Sequence, residues 1–72
     1  MTEYPIILEM ETDGRFSVYA PDLPGCASWG ETREDALENI REAVELWIES
    51  AHANGIPVPK PGTSLAYVKV AS

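Results

Sequence analysis

The sequence predicts an α+β domain in which one long helix covers one face of a four-stranded mixed sheet. Three observations predict it. Two alternating apolar–polar segments flank Asp13-Gly14, an apolar stripe at helical spacing follows Thr32, and a last alternating segment lies beyond a proline-rich connector.

Between Tyr4 and Glu11, Ile6, Leu8 and Met10 share one face, and Pro5, Ile7, Glu9 and Glu11 share the other. From Arg15 to Ala20, Phe16, Val18 and Ala20 alternate with Arg15, Ser17 and Tyr19. A two-residue Asp13-Gly14 loop would pair Met10 with Ser17 and put the apolar sets on opposite faces. A three-residue loop, Thr12-Asp13-Gly14 with a left-handed Gly14, pairs Met10 with Phe16 and Leu8 with Val18. It also sets Glu11 opposite Arg15, so this register is preferred.

Pro21-Asp22-Leu23-Pro24-Gly25 reads as a rigid turn leading into a short strand from Cys26 to Trp29. Thr32 is a good N-cap, with Asp35 three residues later and Glu34 and Glu38 favouring the positive helix end. Leu37, Ile40, Val44, Trp47, Ile48 and Ala51 make one apolar stripe, and Asn54-Gly55 stops the helix. The helix spans about 21 residues, roughly 31 Å. Pro57, Pro59 and Pro61 enforce an extended connector. A final strand is expected from Leu65 to Val70, with Ala66, Val68 and Val70 on one face.

The order is thus β-β-β-α-β. A right-handed crossover would lay the fourth strand parallel to the first, in sheet order 3-2-1-4. The helix would cover Ile6, Leu8, Met10, Phe16 and Val18. The opposite face, carrying Ile7, Tyr19, Leu65 and Tyr67, would stay open. Exposed apolar residues are normal singly, but four on one face predict self-association.

Composition narrows the function. The chain has 72 residues, enough for a single domain over residues 1–72, and a domain this small often gains stability by oligomerising. A homodimer or higher homo-oligomer is expected. Five basic and twelve acidic residues give a formal charge of −7, which disfavours direct nucleic-acid binding. That charge suits encounter with a basic partner, or it simply keeps the protein soluble. No stretch approaches a membrane span, and nothing resembles a signal peptide, so the expected location is cytoplasmic.

No residue pattern demands catalysis, a cofactor or a metal. His52 is the single histidine and suits the negative helix end, while Cys26 reads as a small buried residue. A Cys26–His52 pair has no supporting third residue. Trp47 belongs to the helix stripe, and Trp29, at the end of a strand, either closes the core edge or sits at a contact, with core preferred. Glu34, Asp35, Glu38, Glu42, Glu45 and Glu49 fall within about 100° of a helical wheel. They form either a solvated face or a docking ridge for a basic partner.

Several segments together resemble the HicB-like domain of bacterial toxin–antitoxin pairs. They are Tyr4-Pro5-Ile6-Ile7-Leu8, Asp13-Gly14-Arg15-Phe16-Ser17-Val18, Pro21-Asp22-Leu23-Pro24-Gly25-Cys26, Gly30-Glu31-Thr32 with Glu34-Asp35-Ala36-Leu37-Glu38-Asn39, and Gly55-Ile56-Pro57-Val58-Pro59. The resemblance covers nearly the whole chain. It implies a partial ribonuclease-H-like fold without nuclease activity, and neutralisation of a small basic ribonuclease toxin, HicA, by direct binding. Many family members carry a C-terminal DNA-binding domain; none is expected within this sequence. The contacts expected for the toxin are Asp22, Leu23, Pro24 and Gly25 in the turn and Glu38, Glu42 and Glu45 on the ridge. Those expected for self-association are Ile7, Tyr19, Leu65 and Tyr67. Two competing readings are a stand-alone oligomeric interaction domain with another protein partner and an enzyme or small-molecule binder using Cys26, His52 or the Asp22 loop.

Overall fold

A computed structural model describes residues 2–71. The first alternating segments form β1 (Ile7–Met10) and β2 (Phe16–Tyr19), joined by the preferred tight loop. Met10 pairs with Phe16 and Leu8 with Val18. Gly14 supplies the left-handed residue, at φ 89°, and its N–H donates to the Glu11 carbonyl at 3.0 Å. Glu11 N–H donates to the Arg15 carbonyl at 2.7 Å, so the backbone pairing of these two residues holds. The Arg15 guanidinium turns instead to Asp13, at 2.7 Å.

After β2 the chain makes two consecutive reverse turns. Leu23 N–H donates to the Ala20 carbonyl, and Cys26 N–H donates to the Leu23 carbonyl. In the second turn Pro24 and Gly25 occupy the central positions, with Gly25 at φ 75°, the pattern of a type II turn. The two turns swing Leu23 inward, where it is 1% exposed. β3 (Ala27–Gly30) then pairs antiparallel with β2.

The helix α1 (Arg33–Ala53) begins at Thr32, whose hydroxyl accepts from the Asp35 N–H at 3.1 Å. It ends at Asn54, with Gly55 left-handed at φ 67°. It packs on β3 and β2. A Cβ added to Gly30 would collide with the Asp35–Ala36 backbone, 2.8 Å from Ala36 Cα, so a glycine lets strand and helix meet there. Two side chains tie the helix to the β3 region: Asn39 donates to the Trp29 carbonyl at 2.8 Å, and Trp47 Nε1 donates to the Pro24 carbonyl at 2.9 Å. The core gathers Val18, Ala20, Leu23, Cys26, Ala36 and Ile40, with Tyr4, Ile6, Leu8 and Phe16 packed around it. No helix among the described residues is long and apolar enough to cross a membrane.

The expected four-stranded mixed sheet of order 3-2-1-4 is overturned. The sheet is three-stranded and antiparallel, in order β1-β2-β3, and residues 65–70 form no strand. The connector explains the path. The Tyr4 hydroxyl donates to the Pro59 carbonyl at 2.7 Å. Thr63 donates from its hydroxyl to Asp22 Oδ1 at 2.9 Å and from its N–H to Oδ2 at 3.3 Å. These bonds carry the proline-stiffened chain across the end of the sheet where β1 begins and β2 ends, not along β1. Residues 64–71 are all exposed beyond it. The Cα radius of gyration is 14.1 Å, against about 11 Å for a compact chain of this length.

Two core expectations change as well. Met10 keeps its predicted register but is 71% exposed, because α1 sits over β3 and β2 and leaves the outer end of β1 uncovered. Trp29 is 53% exposed rather than core, since it lies on the face of β3 away from the helix, in line with Ser17.

Candidate partner interface

Three surfaces hold the residues that the sequence singled out. The first is the polar side of α1. Glu38, Glu42 and Glu45 are all exposed there, but the ridge is not purely acidic. Arg41 lies at its edge, 2.7 Å from Glu38 Oε1 and 3.5 Å from Glu45 Oε1. The hydrogen bond from Arg41 holds the Glu38 carboxyl below its ordinary range. Surface pairs of this kind stabilise little, and their main effect here is to neutralise part of the ridge's field. Glu42 and Glu49 belong to no ion pair among the described residues. Helical spacing shows Arg41 one turn from both glutamates, so this partial neutralisation was available from the sequence.

The second surface is the turn between β2 and β3. Pro24 and Gly25 are exposed at its tip, whereas Leu23 lies in the core and offers no side chain to a partner. Asp22 is half-buried and already engaged by Thr63. Burial alone would raise its pKa, but the bonds from Thr63 and the Gly62 backbone outweigh this and lower it. Its role in the structure is to anchor the connector. Cys26, just beyond the turn, is buried, and burial pushes its thiol pKa up, away from nucleophilic chemistry.

The third surface is the sheet face away from α1. Ile7 and Tyr19 are cross-strand neighbours on it, and Tyr19 is 41% exposed. Leu65 and Tyr67 do not join them, because residues 65–70 never reach the sheet. Their place is taken by Trp29, which sequence reasoning assigned to the core. The Arg15 guanidinium lies 5.4 Å from the Trp29 ring centroid, a cation–π arrangement. Strand parity in the β2–β3 register identifies this face for Trp29 once Ser17 is paired with it. Among the described residues, no three His, Cys, Asp or Glu side chains converge to hold a metal ion.

The model of the HicB-like antitoxins of bacterial toxin–antitoxin systems matches residues 4–71. The chain belongs to this family. Its relatives include a UPF0150 protein of Synechocystis, 51% identical over 57 residues, which cover 79% of this chain and 72% of that protein. Antitoxin HicB 1 of Photorhabdus laumondii is 36% identical over 59 residues, covering 82% of this chain and 38% of that longer protein. Among solved structures, the N-terminal domain of Burkholderia pseudomallei antitoxin HicB superposes with a TM-score of 0.75 at 34% identity. That match covers 85% of this chain and 72% of the solved one. This HicB-like chain therefore shares its family and fold with the N-terminal domain of an antitoxin HicB.

Proposed function

We propose that this HicB-like chain is a non-catalytic binding module that neutralises a small basic ribonuclease toxin of the HicA kind in the cytoplasm by direct contact. The observation that carries the reading is the acidic face of α1. Glu38, Glu42 and Glu45 stand exposed along the longest element of the molecule, on a chain whose net charge is −7. Such a surface accelerates encounter with a basic protein and disfavours RNA itself. The exposed Pro24-Gly25 tip lies toward the C-terminal end of α1, where Trp47 bonds to the Pro24 carbonyl, and supplies a rigid neighbouring contact. Neutralisation follows from occlusion: a toxin held on this face presents its basic RNA-binding surface to carboxylates.

The direct test is RNA cleavage by a HicA-type ribonuclease with increasing amounts of this protein. The expected result is inhibition saturating at a fixed stoichiometry and weakened by Glu38→Lys and Glu42→Lys together. Cleavage unaffected by a molar excess of the folded protein would refute the reading.

A further inference from the structure

A groove of about 470 Å³ lies between the C-terminal half of α1 and the turn that joins β2 to β3. Small residues, Gly25, Ala43 and Ala51, hollow it out, and Leu46, Trp47 and Ile56 stand around it. Resting on the toxin-binding reading above, we infer that this groove seats an apolar side chain of the basic partner, held between two of the partner's cations that meet Glu42 and Glu49.

The apolar side of the case is the rim. Leu46 is 65% exposed and Ile56 52%, although both are large and aliphatic. On a helical wheel Leu46 falls between the apolar stripe and the acidic ridge. It lies on the side of α1 from which Asn39 reaches the Trp29 carbonyl, toward β3. Trp47 makes a fixed wall, because its indole N–H is bonded to the Pro24 carbonyl at 2.9 Å. Concave sites of roughly 300–1,000 Å³ bury ligands the size of several side chains. Pockets that take one apolar or aromatic side chain supply much of the binding energy at protein interfaces.

Charge identifies the occupant. Glu42 precedes Leu46 by one helical turn and Glu49 follows it by one, so both carboxylates are its neighbours on the helix surface. Arg41 engages Glu38 and Glu45. Among the four glutamates from Glu38 to Glu49, the two without an ion pair among the described residues are therefore the two beside the groove. They stand seven residues apart, about 10 Å along the axis. A partner segment with cations at that spacing and an apolar side chain between them satisfies the carboxylates and the groove together. A second copy of this chain carries the same net charge of −7 and would set like charges against each other here. Nucleic acid is repelled for the same reason. A basic protein fits both features.

Stopped-flow kinetics of the full chain with a HicA-type ribonuclease separates the two contributions. Leu46→Ser changes an exposed position and should leave helical circular dichroism intact while speeding dissociation by about tenfold. Ser50→Phe, which fills the groove from another exposed position, should do the same. Glu42→Gln and Glu49→Gln should each slow association by about twofold at low salt. Glu38→Gln should slow it less, because its carboxylate lies two turns from Leu46. A second measurement needs no substitution in the groove. The chain carries two tryptophans, and with both fluorine-labelled, Trp29→Phe assigns their resonances. Saturating ribonuclease should shift the Trp47 resonance and leave that of Trp29, on the opposite side of the sheet, in place. An inhibited ribonuclease with an unmoved Trp47 resonance overturns the groove and leaves the antitoxin reading standing. So do dissociation rates that ignore both Leu46→Ser and Ser50→Phe, or association rates that ignore Glu42→Gln and Glu49→Gln. A ribonuclease that neither binds nor is inhibited overturns both.

Discussion

Thr63 reaches across 41 residues of sequence to place its hydroxyl 2.9 Å from Asp22 Oδ1, while its own N–H approaches Oδ2 at 3.3 Å. One carboxylate thus anchors the region after the helix to the turn after β2. The Asp22 pKa is lowered in the folded chain, because these bonds outweigh the burial that would raise it. The anchored form therefore resists protonation more than the released form does. The anchor is fully present above the ordinary aspartate value of about 3.9, and it is lost as pH falls through the lower folded value. The Thr63 amide resonance should titrate with a midpoint below that ordinary value, and Asp22→Ala should abolish the titration. A midpoint at or above the ordinary value would show that the anchor does not form.

Gly30 meets the Asp35–Ala36 backbone so closely that no side chain fits between β3 and α1. Gly30→Ala must push the helix off the sheet or break its first turn. Overpacking of this kind costs about 1–3 kcal/mol. Urea unfolding followed by circular dichroism should show the loss as a lower midpoint. An unchanged midpoint would mean that α1 shifts freely over β3.

Trp29 and Trp47 differ in setting. Trp29 is 53% exposed beneath Arg15, and Trp47 is half-buried with its indole N–H bonded to the Pro24 carbonyl. Acrylamide, which is neutral and so indifferent to the net charge, should quench Trp29 more strongly. Trp29→Phe should leave a residual emission that is bluer and less quenchable, whereas Trp47→Phe should leave the opposite. Equal quenching of the two single-tryptophan forms would contradict the exposure of Trp29.

What the sequence disclosed follows from how local each determinant is. The hairpin register was legible because Gly14 and the alternation of Leu8, Met10, Phe16 and Val18 permit one loop length that keeps the apolar residues together. The helix was legible from Thr32, its stripe and Asn54-Gly55. The fate of residues 65–70 was not, because a strand pattern specifies that a segment can pair without specifying its partner, and the decisive bonds from Tyr4 and Thr63 join residues 55 and 41 positions apart. Met10 and Trp29 were misjudged for a related reason. Trp29 faces away from α1 by strand parity once its pairing with Ser17 is fixed, whereas Met10 is on the helix side and its exposure follows from α1 packing over β3 and β2. At the candidate interface, the acidic ridge was read correctly as exposed, while the inward swing of Leu23 required two successive turns that spacing alone does not define.

The ion pairs of Arg41 with Glu38 and Glu45 yield the sharpest test of how the α1 face works. If this face attracts a basic toxin, Arg41 opposes the attraction, and Arg41→Gln should speed association. One unit charge near the encounter surface changes the rate by about twofold at low ionic strength, and the gain should vanish at high salt. Glu42→Lys should slow association by more, because it replaces a carboxylate with a cation. Both residues are exposed on the helix, so dissociation and folding should change far less than association. Stopped-flow measurement across a salt series separates these effects. Opposite shifts of the association rate for Arg41→Gln and Glu42→Lys, both fading with salt, are what an electrostatic docking face requires. Rates that ignore both substitutions would make the ridge a merely solvated surface and move the toxin contact to the Pro24-Gly25 tip or to the Ile7, Tyr19 and Trp29 face.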